Sequence, residues 1–243
     1  MKIGISIALH GQPELAARVM RHYASVSLTG HELVLHAIGS SKQDEAAATA
    51  AGWLCDLYPN DNLGAKRNAG LAALRALEVD AVIRIGCDDL LSAPLLERMA
   101  GAFAGGADGV TIRGSFAQDA ATGEMIDIYR TDYAFGIGRH VLDARGWALY
   151  EEDGRVPDRM ISAYIAGRKN VVLRADSDTP FLQIKTDQSI NSFERLKRFS
   201  IWQPADAAAV LAHFAEPEAE PENVPAKPTR KRKAAPAPTD TED

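Results

Sequence analysis

The chain has 243 residues, 46% of them hydrophobic and 25% charged, with a formal net charge of −6. That is enough for one large domain or two small ones. Two cysteines cannot build a disulfide framework, and Cys55 and Cys87 lack the paired spacing of a zinc site; the acidity argues against a surface given over to nucleic acid.

The first elements follow a regular pattern. Ile3–Leu9 is a short apolar β run and Pro13–Tyr23 has helical spacing through Leu15, Val19 and Met20. Glu32–Ile38 is a second strand, Asp44–Gly52 an alanine-rich helix, and Trp53–Tyr58 a third strand. Gly64–Leu77 is a helix, Ala81–Ile85 a fourth strand and Ala93–Phe103 a further helix. This alternation predicts an α/β fold with a mostly parallel sheet and helices on both faces. Ligands in such sheets bind beyond the carboxyl ends of the strands, which singles out the loops at 10–12, 39–44, 60–68 and 86–92.

The second half changes character. Gly109–Ser115 and Glu124–Tyr129 read as strands around a turn at Asp119–Gly123, an antiparallel excursion. Arg139–Trp147 and Asp158–Ala166 read as helices, Val171–Ala175 as a strand and Ala205–Phe214 as a last helix. Between them, Phe135–Arg139 holds a glycine pair that would let backbone approach a ligand closely. From about Ala215 to Asp243 the chain carries six of its twelve prolines, an acidic block, the basic run Arg230–Lys233 and no aromatic residue. Such a segment is expected to be a disordered tail. No apolar run approaches the roughly 18 residues that cross a bilayer. The N-terminal stretch ends at His10 without a signal peptide's core and cleavage site, so a cytoplasmic setting is expected.

Three groups of residues carry chemistry. Asp88 and Asp89 follow the fourth strand; adjacent carboxylates there need a neutralising cation, and an all-oxygen set suits Mg²⁺ or Mn²⁺. The competing role is helix capping, although Ser92 already supplies that cap. The run Asn62-Leu63-Gly64-Ala65-Lys66-Arg67-Asn68-Ala69-Gly70-Leu71 places a helix start with two cations before that strand, an arrangement able to hold a diphosphate. Lys185 lies in the polar stretch 184–191, where it would either balance phosphate charge or sit at the surface.

The run at 62–71, followed by an apolar strand and Asp88-Asp89, resembles the nucleotide-sugar half of family-two glycosyltransferases of the GT-A fold. The resemblance covers residues 1–115 well and 130–195 more loosely. It implies one domain over residues 1–214, with a nucleotide-sugar half (1–115) and an acceptor half (116–214). It further implies a UDP-sugar donor bound by the ends of the first two strands (Ala8, His10 and Asp44), with Asn62 and Lys185 serving the diphosphate and Lys66 or Arg67 supporting it or organising its loop. It implies in addition that Asp88 holds Mn²⁺ or Mg²⁺ together with the diphosphate oxygens, and that Asp89 supports that ion or touches the sugar. For an inverting transfer, a carboxylate in the second half takes the acceptor hydroxyl's proton. Asp158 is the candidate, with Glu152 and Asp153 as rivals and helix capping as the alternative role for Asp158. The sequence departs from the family pattern at Gly86, where an acid is usual. The hydroxyl acceptor is open, a glycan and a modified DNA base among the options. The rival readings are a sugar-phosphate nucleotidyltransferase and a non-catalytic module binding nucleotide sugars or nucleic acid.

Overall fold

The computed structural model describes residues 1–150, 162–189 and 191–214. Its first part is β1 (Lys2–Ala8), α1 (Pro13–Ser25), β2 (Glu32–Gly39), α2 (Lys42–Ala50), β3 (Leu54–Leu57), α3 (Leu63–Ala76) and β4 (Ala81–Ile85). The four strands pair in parallel in the order β3-β2-β1-β4. Every residue from Ile3 to Ile7 is buried, as a strand covered on both faces requires. One face packs on α1 through Val19, Met20 and Tyr23; the other receives Leu71 and Leu74 of α3.

The chain continues through β5 (Asp89–Leu91), α4 (Ala93–Ala104), β6 (Gly109–Asp119), β7 (Met125–Gly138), α5 (Arg139–Ala144), β8 (Asn170–Arg174) and β9 (Phe181–Lys185). Then come α6 (Phe193–Phe199), β10 (Trp202–Pro204), α7 (Ala207–Leu211) and a 3₁₀ turn at Ala212–Phe214. The full order is β3-β2-β1-β4-β7-β6-β9-β5, with β10 on β7 and β8 on β6. β4 and β5 are therefore four places apart in the sheet but only three residues apart in the chain. Four residue steps reach at most roughly 14 Å, so the sheet must curl until its last strand returns beside the fourth. The Gly86–Asp88 link is the clasp of that curl.

The antiparallel excursion is β6 with β7, closed by a turn in which Gly123 N–H donates to the Asp119 carbonyl. β6 pairs first with β8 and then with β9. The switch falls at Gly114, whose φ of +85° and register shift mark a bulge that a side chain would strain.

Several boundaries differ from the sequence expectations. The glycine pair after Phe135 lies inside β7, not in a ligand loop. A Cβ at Gly136 would stand 2.6 Å from Phe103 Cζ, so this glycine makes room for α4. α5 stops at Ala144 rather than Trp147, because Gly146 and Trp147 take left-handed φ values of 63° and 62°. The Trp147 indole N–H then donates back to Asp143 Oδ1 at 2.7 Å. Of the helix expected at 158–166, only 162–166 is described, and 162–165 is helical.

β5 is an edge strand whose second edge is met by side chains of α1. Tyr23 Oη donates to the Asp89 carbonyl at 3.2 Å and accepts from Leu91 N–H at 2.9 Å. His22 Nε2 lies 2.8 Å from the Leu91 carbonyl. Tyr23 is fully buried, so Tyr23→Phe strands the Leu91 N–H. The expected cost in urea denaturation is about 1–3 kcal/mol, and an unchanged midpoint would refute this propping role.

Candidate functional site

The carboxyl ends of β1, β2, β3 and β4 meet at one rim, and the residue that fastens it is Lys66. The side chain is completely buried. Its ammonium donates to the Leu9 carbonyl at 2.5 Å, Ser40 Oγ at 2.7 Å and Asn60 Oδ1 at 3.2 Å. One group thus ties the connections that follow the first three strands. Burial pulls its pKa down, while nearby Asp44 favours the charged form. An ammonium has three N–H bonds, and all three go to these connections, so of the two expected roles the geometry displays the organising of the loops.

Asn62 is the N-cap of α3, accepting from Ala65 N–H at 2.9 Å. Asp44 forms the capping box of α2 with Ser41, its Oδ2 also accepting from Ser40 N–H at 2.7 Å. His10 is exposed, and its Nδ1 accepts from Asn60 Nδ2 at 2.6 Å. Arg67 departs from the group. Its guanidinium stands 5.5 Å from the centre of the Tyr150 ring and borders a small cavity with Ser6, Ala8 and Arg84. Ala8 is shared between this cavity and the rim.

The acid pair sits where the clasp meets β9. Asp89 begins β5, its Oδ2 accepting from Gly86 N–H at 2.8 Å. A Cβ at Gly86 would lie 2.8 Å from Asp88 Oδ1 and from Asp89 Oδ2, so the acid expected there has no room beside both carboxylates. Burial and the charge of Asp88 push the Asp89 carboxyl up to about 6. The same causes push Cys87 up to about 11, so it stays a thiol.

Lys185 ends β9 instead of lying in a polar loop, and it is 5% exposed. Its Nζ stands 2.6 Å from Asp88 Oδ2. The ladder makes this meeting: Asp89 is paired with Gln183, and Ile184 N–H donates to the Asp88 carbonyl at 2.8 Å. The following turn folds back over the pair. Ser189 Oγ is 3.5 Å from Asp88 Oδ2, and Thr186 Oγ1 is 3.0 Å from Gln12 Oε1. Residues 184–189 therefore join the rim of β1 to the acid pair.

For the Mn²⁺ or Mg²⁺ expected from the resemblance the described residues offer two carboxylates, one of them contested by a lysine. Among the described residues no three His, Cys, Asp or Glu side chains gather to hold an ion. Asp88 Oδ2 is already neutralised by a buried ammonium, and Asp89 Oδ2 is engaged by backbone. Glu152, Asp153 and Asp158 lie outside the described residues. The sequence reading missed Asn68 as an anchor. Its Oδ1 accepts from Leu149 and Tyr150 N–H at 3.0 and 3.1 Å, and its Nδ2 donates to the Tyr150 carbonyl at 2.8 Å. The motif thereby holds the chain just before residues 151–161; its position in the 62–71 run was the only available signal.

This architecture, a curled and mostly parallel sheet flanked by helices with an acid pair at its clasp, is the GT-A-type fold. The chain is similar to solved structures of S. aureus TarS. For TarS 1–349 the identity is 13% and the TM-score 0.55, over 76% of this chain and 60% of that one. For TarS 1–349 in complex with UDP-GlcNAc they are 12% and 0.54, over 78% and 60%. For the complex with UDP they are 13% and 0.54, over 76% and 61%. The chain thus spans about 60% of the length of these matches. No protein-family model and no curated protein sequence matches it. Among the described residues no helix is long and apolar enough to cross a membrane.

Proposed function

We propose that the chain is a cytoplasmic glycosyltransferase that moves a sugar from a nucleoside diphosphate donor to a hydroxyl acceptor, with UDP-sugars as the donor class. The observation that carries this reading is the Asp88–Lys185 pair at the clasp, where the ends of the nucleotide-half strands meet the 186–189 turn. The similarity to TarS solved with UDP-GlcNAc and with UDP supports the donor class.

The chemistry needs two things from the protein. Charge builds on the leaving diphosphate as the glycosidic bond breaks, and fixed positive groups stabilise it most where water is excluded. The acceptor hydroxyl must lose its proton as it attacks the anomeric carbon, with inversion. In this proposal Asp158 is the base, with Glu152 and Asp153 as alternatives. Asn68 holds the segment that leads to all three.

The test is product analysis with UDP-GlcNAc and UDP-glucose. Release of UDP supports the transferase. Release of pyrophosphate from a nucleoside triphosphate and a sugar phosphate would replace it with a nucleotidyltransferase, and binding without turnover would leave a binding module. Asp88→Asn is expected to lower UDP release about 100-fold by freeing Lys185 from its position. Unchanged turnover in that variant would remove the clasp from the mechanism.

A further inference from the structure

The clasp brings one buried ammonium against two acids, and that ammonium stands on Asp88, the acid expected to hold the divalent ion. Lys185 is not a loose surface side chain that happens to lean on Asp88. It is the last residue of β9, and both flanking strands fix its backbone: β5 through the Asp89–Gln183 pairing and β6 through the Asp119–Lys185 pairing. The side chain is 5% exposed and its Nζ stands 2.6 Å from Asp88 Oδ2. Mg²⁺ binds carboxylate oxygen at about 2.1 Å, so an ion on that oxygen would lie within about 5 Å of the ammonium. Two cations at that distance repel strongly. The neighbouring acid already accepts from Gly86 N–H on its Oδ2.

We propose that Lys185 does the work of the divalent ion: held by Asp88, its ammonium binds the donor's diphosphate, and nucleotide binding needs no metal. The pair is suited to this. Asp88 keeps one partly exposed side, its side chain 18% accessible. An ammonium has three N–H bonds, one of them spent on Asp88, so phosphate oxygens entering from the rim can share it. Ser189 Oγ and the Gln12–Thr186 contact border the same approach. The inference rests on the nucleotide-sugar reading above and narrows it to metal-independent recognition.

The experiment measures UDP binding by calorimetry in EDTA and in Mn²⁺, with uptake of Mn²⁺ followed separately by the loss of its free-ion EPR signal. The expected result is UDP affinity within about threefold under both conditions, and no Mn²⁺ uptake with or without UDP. UDP binding that needs Mn²⁺, or Mn²⁺ taken up by the wild-type chain, overturns the role of Lys185 and leaves the nucleotide-sugar reading standing. No UDP binding in either condition overturns that reading, and this inference with it. In the full chain, Lys185→Ser is expected to lose at least tenfold in UDP affinity in EDTA and to recover part of it in Mn²⁺; Lys185→Arg should retain binding without metal. A purely structural lysine would give no such rescue. If Lys185→Ser does not fold, the wild-type arms alone decide.

Discussion

Lys66→Met is expected to lower the melting temperature by about 5–15 °C, the largest effect of any single change at the rim. The substitution keeps the volume of the stem but removes all three donors. The Leu9 carbonyl then loses its partner away from water, while Ser40 Oγ and Asn60 Oδ1, on exposed residues, can turn to solvent. Stranding that one buried carbonyl costs about 1–3 kcal/mol, and each of the other two bonds is a net loss of about 0.5–1.5 kcal/mol. Allowing for partial rehydration, a total of about 2–4 kcal/mol converts to that shift for a domain of this size. Thermal denaturation followed by circular dichroism checks it, and a loss under 2 °C would show that the three connections are held by something else. Lys66→Arg should not rescue, because a planar guanidinium cannot aim at three acceptors set around a compact ammonium.

Lys185→Met is the second large effect, and it should depend on pH. Removing the ammonium leaves Asp88 and Asp89 adjacent and uncompensated, a situation that costs about 3–5 kcal/mol when one partner of a buried pair is deleted. The loss should be smaller in acid. Asp89 already titrates near 6 in the folded chain against an ordinary 3.8, and losing Lys185 removes a charge that lowers it, so its folded value rises further. A carboxyl raised on folding binds its proton more tightly in the native state. Its contribution to stability is complete below the unfolded value and is lost as pH rises through the folded one. The deficit of Lys185→Met relative to wild type should therefore shrink as urea denaturation is repeated from pH 7.5 down to 5.5. Adding Asp88→Asn to Lys185→Met should restore most of the loss, and the cycle isolates the pair. A deficit independent of pH would argue that the lysine stem, not its charge, matters.

These two lysines also mark where the sequence was readable and where it was not. The alternation from β1 to β4, and α4 after it, was legible because each of these elements carries its own period, and three of the helices start at a side-chain cap: Ser41, Asn62 and Ser92. The candidate site was placed by that alternation and by Asp88. Lys66 was opaque. A lysine in the first turn of a helix looks solvated, and its burial depends on Leu9 and Ser40, 57 and 26 residues away. Lys185 was opaque for the same reason, since Asp88 is 97 residues distant. β5 has three residues and opens on an acid, too short for any period to register. The glycines of β7 were misread because a glycine that admits an aromatic ring looks, in sequence, like one that admits a ligand.

The curl of the sheet has a mechanical corollary. The shortest connection that closes it, Gly86 to Asp88, also carries the carboxylate that holds Lys185, so the closure and that ion pair draw on the same few atoms. Variation that loosens this buckle to admit a bulkier donor would unlatch the strands on either side. Change that leaves the curl intact is therefore channelled away from it, toward the outlying connections at 10–12 and 186–189.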